Sequence, residues 1–292
     1  YANNNFDGLE YRGSNFNQDI SKLPQGITHL IFGSCFNQVV ISLPFFLTHL
    51  TFGFGFNKDV SNLPLFLTDL IFGHDFDKDV SGLPPFLTHL IFGSWFNQDV
   101  SVLPSFLTHL TFGYHFDRDV SNLPPSLTHL TFGNIFNQDV SKLPPFLTHL
   151  TFGNYFNQDV SNLPPSLTHL TLKYGFTKEC NIPPNIKYLK LDCNNLYIIN
   201  SLPNSVAELE LDYNFNLEIN NLPTSIKKLV ISKYSHYDKD LNCLPEFIEE
   251  LHLNFYYKKR ILYIPSNLKK IVCYKNYPYI NDFSNYCVEI CQ

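Results

Sequence analysis

Apolar residues recur along the chain in one phrase, Leu-x-x-Leu-x-Phe/Leu. It stands at Ile27/Leu30/Phe32, Leu47/Leu50/Phe52 and Leu67/Leu70/Phe72 and runs on to Leu167/Leu170/Leu172. It persists in a looser form at Ile186/Leu189/Leu191, Val206/Leu209/Leu211, Ile226/Leu229/Ile231, Ile248/Leu251/Leu253 and Leu268/Ile271/Cys273. A partial copy, Phe6/Leu9/Tyr11, opens the chain. The Leu-x-Leu alternation predicts a short strand with two side chains inward and their neighbours outward. A fixed period near 20 residues predicts a solenoid, because one such strand can bury its apolar face only against the next coil.

Other columns of the repeat follow the same logic. Phe16, Phe36, Phe56 and onward to Phe176 are expected to stack as an internal aromatic column. The residue after each is Asn or Asp, predicted to be an inward ladder satisfying turn backbone groups. Gly33 through Gly153 ends each strand, where a corner needs backbone freedom. Leu-Pro, as in Leu143-Pro144-Pro145, falls opposite the strand and argues against a helix there. The expected fold is therefore a leucine-rich-repeat solenoid with a parallel β-sheet on the concave face, an extended or polyproline convex side and few or no helices. A closed parallel β-solenoid is the alternative. About 14 coils form one solenoid: a partial coil over 1–15, near-identical repeats over 16–176, divergent repeats over 177–275 and a C-terminal cap over 276–292.

Composition narrows the function. Residues 1–172 carry 13 acidic and 6 basic side chains and residues 173–292 carry 13 and 14, with no basic stripe, so no nucleic-acid partner is expected. No apolar run is long enough to span a membrane. The chain starts at Tyr1 and contains no Met, so further sequence upstream is expected. Of the seven cysteines, Cys180 and Cys273 stand at core positions. Cys287 and Cys291 are a candidate cap disulfide or half a metal site. No Asn-x-Ser/Thr sequon occurs, which favours an intracellular setting.

The phrase "FNQDVSKLPPFLTHLTFG", residues 136–153, resembles the FNIP repeat, a divergent leucine-rich repeat of social amoebae and the giant viruses that infect them. The resemblance covers residues 16–176, with Phe-Asn-Gln-Asp-Val in place of the family's Phe-Asn-x-Pro. Residues 177–275, with "IPPNIKYLKLDCNNL" and "LPNSVAELELDYN", resemble short bacterial-effector leucine-rich repeats. The resemblance implies a protein-interaction module, sometimes joined to an F-box-like segment that recruits a ubiquitin ligase. No such segment is visible here.

Three sets of residues are candidates for function. His29, His49, His89, His109, His129, His149 and His169 lie one residue before the central Leu and predict a ladder of imidazoles on the concave face, broken by Asp69. Neutral stacking is the plainer reading of this ladder. A recognition surface or a metal site competes, although rungs that point the same way converge poorly on one ion. Asp19, Asp59, Asp79, Asp99, Asp119, Asp139 and Asp159 form a second ladder, read as Asx turns or as calcium ligands. In the divergent coils, Tyr188, Lys190, Glu208, Glu210, Lys228 and Glu250 face outward with charge alternating between rungs. These six give a partner a unique register, which identical rungs lack; a cross-rung ion-pair ladder is the plainer reading.

No catalytic motif, cofactor site or metal set stands out, and no enzyme is expected. The expected role is binding a protein partner on the concave face, with substrate reception for a ubiquitin ligase as a finer form. The alternative is a structural component of a virion or surface layer, with self-association through the solenoid ends. The expected location is intracellular, in the host cytoplasm if the protein is viral, or in a virion.

Overall fold

A computed structural model describes residues 15–291. Two compact units divide the chain, Tyr1–Phe136 and Asn137–Gln292. The partial coil at Phe6/Leu9/Tyr11 lies outside the described residues.

In the first unit each coil contributes one short strand: β1 (His29–Ile31), β2 (His49–Thr51), β3 (Asp69–Ile71), β4 (His89–Ile91), β5 (His109–Thr111) and β6 (His129–Thr131). Neighbours pair in parallel with no slip, Leu30 on Leu50, Leu50 on Leu70 and so on to Leu110 on Leu130. The register is fixed because a one-residue shift would turn every buried Leu outward. The interior is made of equivalent residues in columns. Leu67, Leu70, Phe72 and Phe76 of one coil are fully enclosed, as are Leu87, Leu90, Phe92 and Phe96 of the next. Phe36, Phe56, Phe76 and Phe96 stack at 6.1 Å between ring centres, and Phe52, Phe72 and Phe92 form a second column 3.7 Å from the first.

Among the described residues of the first unit the Pro-rich side carries no helix. Extended backbone is broken there by tight turns in which each Pro carbonyl accepts from the third residue on, as Pro64 does from Leu67 at 3.3 Å. The strand-end glycines have a different reason from the expected corner. A Cβ on Gly93 would overlap the carbonyl of Gly73. The glycines therefore permit close approach between coils rather than unusual dihedrals. The Asn/Asp column also differs: its side chains lie half-exposed, and each accepts from the backbone N–H of the following coil, Asn57 N–H to Asn37 Oδ1 at 3.0 Å and Asp77 N–H to Asn57 Oδ1 at 3.1 Å.

The second unit continues the pattern with β7 (His149–Thr151), β8 (His169–Leu172), β9 (Tyr188–Leu191), β10 (Glu208–Leu211), β11 (Lys228–Ile231), β12 (Glu250–His252), β13 (Lys270–Tyr274) and β14 (Cys287–Cys291), all parallel and consecutive. From β8 to β11 the strands are four residues long, and Lys173 stands where the glycine column would continue. An α-helix interrupts the pattern, α1 (Leu196–Asn200), started by Asn195, whose side chain accepts from Ile198 N–H, and a 3-10 helix spans Ile280–Phe283 before β14. Cys180 and Cys273 are buried as expected. Cys287 and Cys291 are not a disulfide: both lie on β14, where four residues of extended chain hold them about 13 Å apart, beyond the reach of an S–S bond.

Candidate functional site

The outward face of β1–β6 is tiled by imidazoles in one column and by Thr51, Thr111 and Thr131 with Ile31, Ile71 and Ile91 in the other. His89, His109 and His129 stack at 4.4 and 4.2 Å, and His29 on His49 at 4.0 Å. Each ring is held from behind. Thr108 Oγ1 lies 2.9 Å from His109 Nδ1 and donates to the Thr88 carbonyl at 3.1 Å. Asp69 interrupts the row, with its carboxylate 3.3 Å from His49 Nε2 and 3.6 Å from His89 Nδ1. In the second unit His149 stacks on His169 at 4.0 Å, and His169 on Tyr188 at 5.5 Å. Among the described residues no group of three or more His, Cys, Asp or Glu is placed to hold a metal ion.

The stacking has a consequence in pH. Burial, with the neighbouring His129 and His89, pulls His109 down to about 4. Burial also lowers His169, against the upward pull of Glu208 and with the downward push of Lys187. An unfolded His takes its proton near 6.5 while these folded ones refuse it, so the unfolded state binds more protons as the pH falls. Stability should be complete above about pH 6.5 and decline towards about pH 4. A His109→Gln/His169→Gln variant should flatten this limb of a pH series of urea midpoints. An identical slope in the variant would show that the row is not the cause.

The outward face of β9–β13 carries a network of ion pairs in three groups. Lys190 Nζ lies 2.7 Å from Glu210 Oε1 and 2.8 Å from Asp212 Oδ2. Tyr188 donates its hydroxyl to the other Glu210 oxygen, and Ser232 donates to Glu210 Oε1 at 2.8 Å. Burial opposes ionisation of Glu210, but the hydrogen bonds from Lys190 and Tyr188 outweigh it and hold the carboxyl below its usual range. Burial pushes Tyr188 up, reinforced by Glu210, so its phenol stays protonated. Lys228 pairs with Glu208 at 2.9 Å, and His252 with Glu250 at 2.6 Å; Lys270 bridges Glu250 and Glu289 at 3.4 and 2.8 Å. The structure thus brings all six candidates onto one face and pairs them across rungs. Asp212, Ser232 and Glu289 complete the network, and the sequence reading missed them. The first two sit just past the end of a strand, and Glu289 lies in a segment read as a cap.

The Asp column resolves as turns. Asp59 accepts from Ser61 N–H at 3.2 Å and from its hydroxyl at 2.6 Å, and the same pair recurs at Asp19, Asp79, Asp99, Asp119 and Asp139. These hydrogen bonds, from side chain and backbone, lower the carboxyls. A third surface went unread. The two residues after each strand-end glycine differ from coil to coil, and in the first unit they form an aromatic ridge. Phe54 stacks on His74 at 4.2 Å, and Trp95 on His115 at 4.0 Å, beside an open groove lined by Asn57, Asp75 and Asp77.

The model of the FNIP repeat matches residues 16–55, 79–115, 96–135, 136–175, 177–214 and 194–234. The chain belongs to the FNIP repeat family. The FNIP match runs on to residue 234, beyond the stretch 16–176 over which the sequence resemblance is strongest. The FNIP chain is similar in structure to CroV588 of a giant virus, described as a novel circular leucine-rich-repeat protein, at 36% identity and TM-score 0.67; the match covers 88% of this chain and 45% of that one. It thus spans less than half of the CroV588 chain. YopM from Yersinia enterocolitica matches at 17% identity and TM-score 0.45, covering 91% of this chain and 73% of its own. InlJ from Listeria monocytogenes matches at 17% and 0.42, covering 86% and 70%. No curated protein sequence matches the FNIP chain. Among the described residues no helix is long and apolar enough to cross a membrane.

Proposed function

We propose that this FNIP solenoid is a non-enzymatic module that binds a protein partner on the outward face of β9–β13, with Tyr188, Lys190, Glu208, Glu210, Lys228 and Glu250 as its contact set. The observation that carries this reading is the network itself. Its charges are fixed in place by one another and half-exposed, and the outward pair differs on each rung from β9 to β12, where the six residues lie. A preorganised surface loses little freedom on binding, and a non-repeating charge order penalises every wrong register. Tyr188 supplies an aromatic anchor already held by Glu210. The His/Thr face, being uniform, serves this purpose less well.

The test exchanges one ion pair. In Glu208→Lys/Lys228→Glu the two charges swap places, so the bond can persist while the pattern presented outward is reversed. Fold and melting temperature should change little, because a pair this exposed contributes about 0–1 kcal/mol. Affinity for a partner captured by the wild-type chain should fall at least about tenfold, since a like-charge juxtaposition at an interface costs several kcal/mol. His109→Gln/His129→Gln should leave affinity unchanged. If the His pair abolishes binding and the exchange does not, the partner sits on the imidazole face.

Two finer expectations attach to this reading. Substrate reception for a ubiquitin ligase needs an F-box-like segment joined to the solenoid, and co-purification of the full reading frame with the ligase component that holds F-boxes would support it. The likeness to a giant-virus protein supports a viral source, with the host cytoplasm or a virion as the place of work.

A further inference from the structure

One coil breaks the repeat and loses folded-state bonds by doing so. Seven coils carry Asp followed two residues later by Ser; residues 39 and 41 are instead Val and Ile. No Asp–Ser turn can form there, and the two side chains remain 55% and 70% exposed. After the next proline the same coil presents Phe45 and Phe46, both more than half exposed, packed against Phe66 of the following coil at 5.2 and 6.4 Å. Phe86 and Phe106 continue the row, 6.1 Å apart. It ends at Ser126, whose hydroxyl instead donates to the Ser105 and Leu107 carbonyls. Between Lys22 and Lys58 no charged side chain occurs at all.

Nothing inside the coil is gained by these exchanges, and a local rule broken without a folded-state gain marks a site with another purpose. A fully covered aromatic side chain buries about 150–250 Å². Roughly half of that is open at each Phe, so the row with its aliphatic neighbours offers on the order of 800 Å². That exceeds the largest apolar patch of an ordinary monomer, roughly 300–600 Å², and equals about one side of a stable interface.

We propose that this Phe row is the interface between two copies of this chain, packed row against row about a two-fold axis. A two-fold contact needs a patch complementary to itself, and an uncharged apolar row meets that condition. Interfaces between identical subunits are the more apolar class, while a transient partner surface carries more polar groups. A lipid surface is the other occupant for exposed Phe, but it calls for a surround rich in Lys and Arg; between Phe45 and Phe106 only Lys58 and Lys78 are basic, against Asp59, Asp69, Asp75, Asp77, Asp79 and Asp99. The surface lies on the Pro-rich side of the first unit, and none of its residues belongs to the charged face of β9–β13.

Sedimentation of the full chain across a concentration series tests this. Wild type should run as a dimer at micromolar concentration. Val39→Asp/Ile41→Ser restores what the other coils carry, and Phe46→Ser/Phe66→Ser introduces the residue found at Ser126, so both variants should fold. Each should raise the dissociation constant about 100-fold or more. At concentrations where both are monomeric, Val39→Asp/Ile41→Ser should melt no lower than wild type. A wild-type chain with the mass of a monomer at every concentration overturns the proposal, whatever the variants do. So does a dimer that survives both pairs of substitutions. A monomer that co-sediments with phosphatidylcholine vesicles would assign the row to a lipid surface instead.

Discussion

Phe96→Ala is expected to cost about 3–5 kcal/mol, the range for emptying a buried aromatic site. The ring is fully enclosed, stacked at 6.1 Å on Phe76 and Phe116 and at 3.7 Å on Phe92. Collapse of the neighbours into the cavity would relieve the loss, but they are fixed by their own columns: Phe92 is held at 5.6 and 5.7 Å by Phe72 and Phe112. Contacts in a solenoid are made only to the adjacent coils, so the damage should concentrate on β4 and β5. Hydrogen exchange should accelerate at Leu90 and Leu110 more than at Leu229. Tyr155→Ala, at a side chain 59% exposed, should change stability by no more than about 0.5 kcal/mol. Equal losses for the two substitutions would remove the aromatic columns as the main support of the fold.

Gly93→Ala should be nearly as damaging for a reason unrelated to burial. The added methyl would overlap the carbonyl of Gly73, and Gly53, Gly73 and Gly113 each meet the preceding coil in the same way, so coil spacing along this edge is set by backbone on backbone. Carbonyls cannot swing aside as side chains do, so the coils must separate locally. Overpacking of this kind costs about 3 kcal/mol or more. Gly26→Ala is the control: nothing lies within 4 Å of its added Cβ. Similar urea midpoints for the two alanine variants would show that the close approach is relaxed in solution.

The strands were legible because the Leu-x-x-Leu-x-Phe phrase states both the period and the inward face. The central residue of every strand from Leu30 to Ile271 can be read from it, and within each unit these residues prove to pair with their counterparts one coil on. β14 was not legible. Its Cys287–Cys291 segment carries no Leu-x-Leu, and only the pairing of Val288 with Ile271 shows it to be another rung. The helix at Leu196–Asn200 was missed because its apolar residues, Ile198 and Ile199, read equally well as extended core, and the deciding group is the Asn195 side chain. For the site, the sequence shows which charges face outward but not which meet. Tyr188 and Lys190 converge on Glu210 of the next strand, and Lys190 also reaches Asp212, because long side chains lean across rungs. The aromatic ridge went unread because it is made of the positions where the copies disagree, and a search for repetition passes over them.

The chain has a single tryptophan, Trp95, half-exposed and stacked on His115 at 4.0 Å. Its emission therefore reports on one loop of one coil, whereas circular dichroism averages over all coils. In a chain whose coils hold only their neighbours, the two signals need not move together. If the emission of Trp95 shifts at lower urea than the dichroism, the first unit opens around that loop before the rest; coincident curves would mean that the coils surrender as one body.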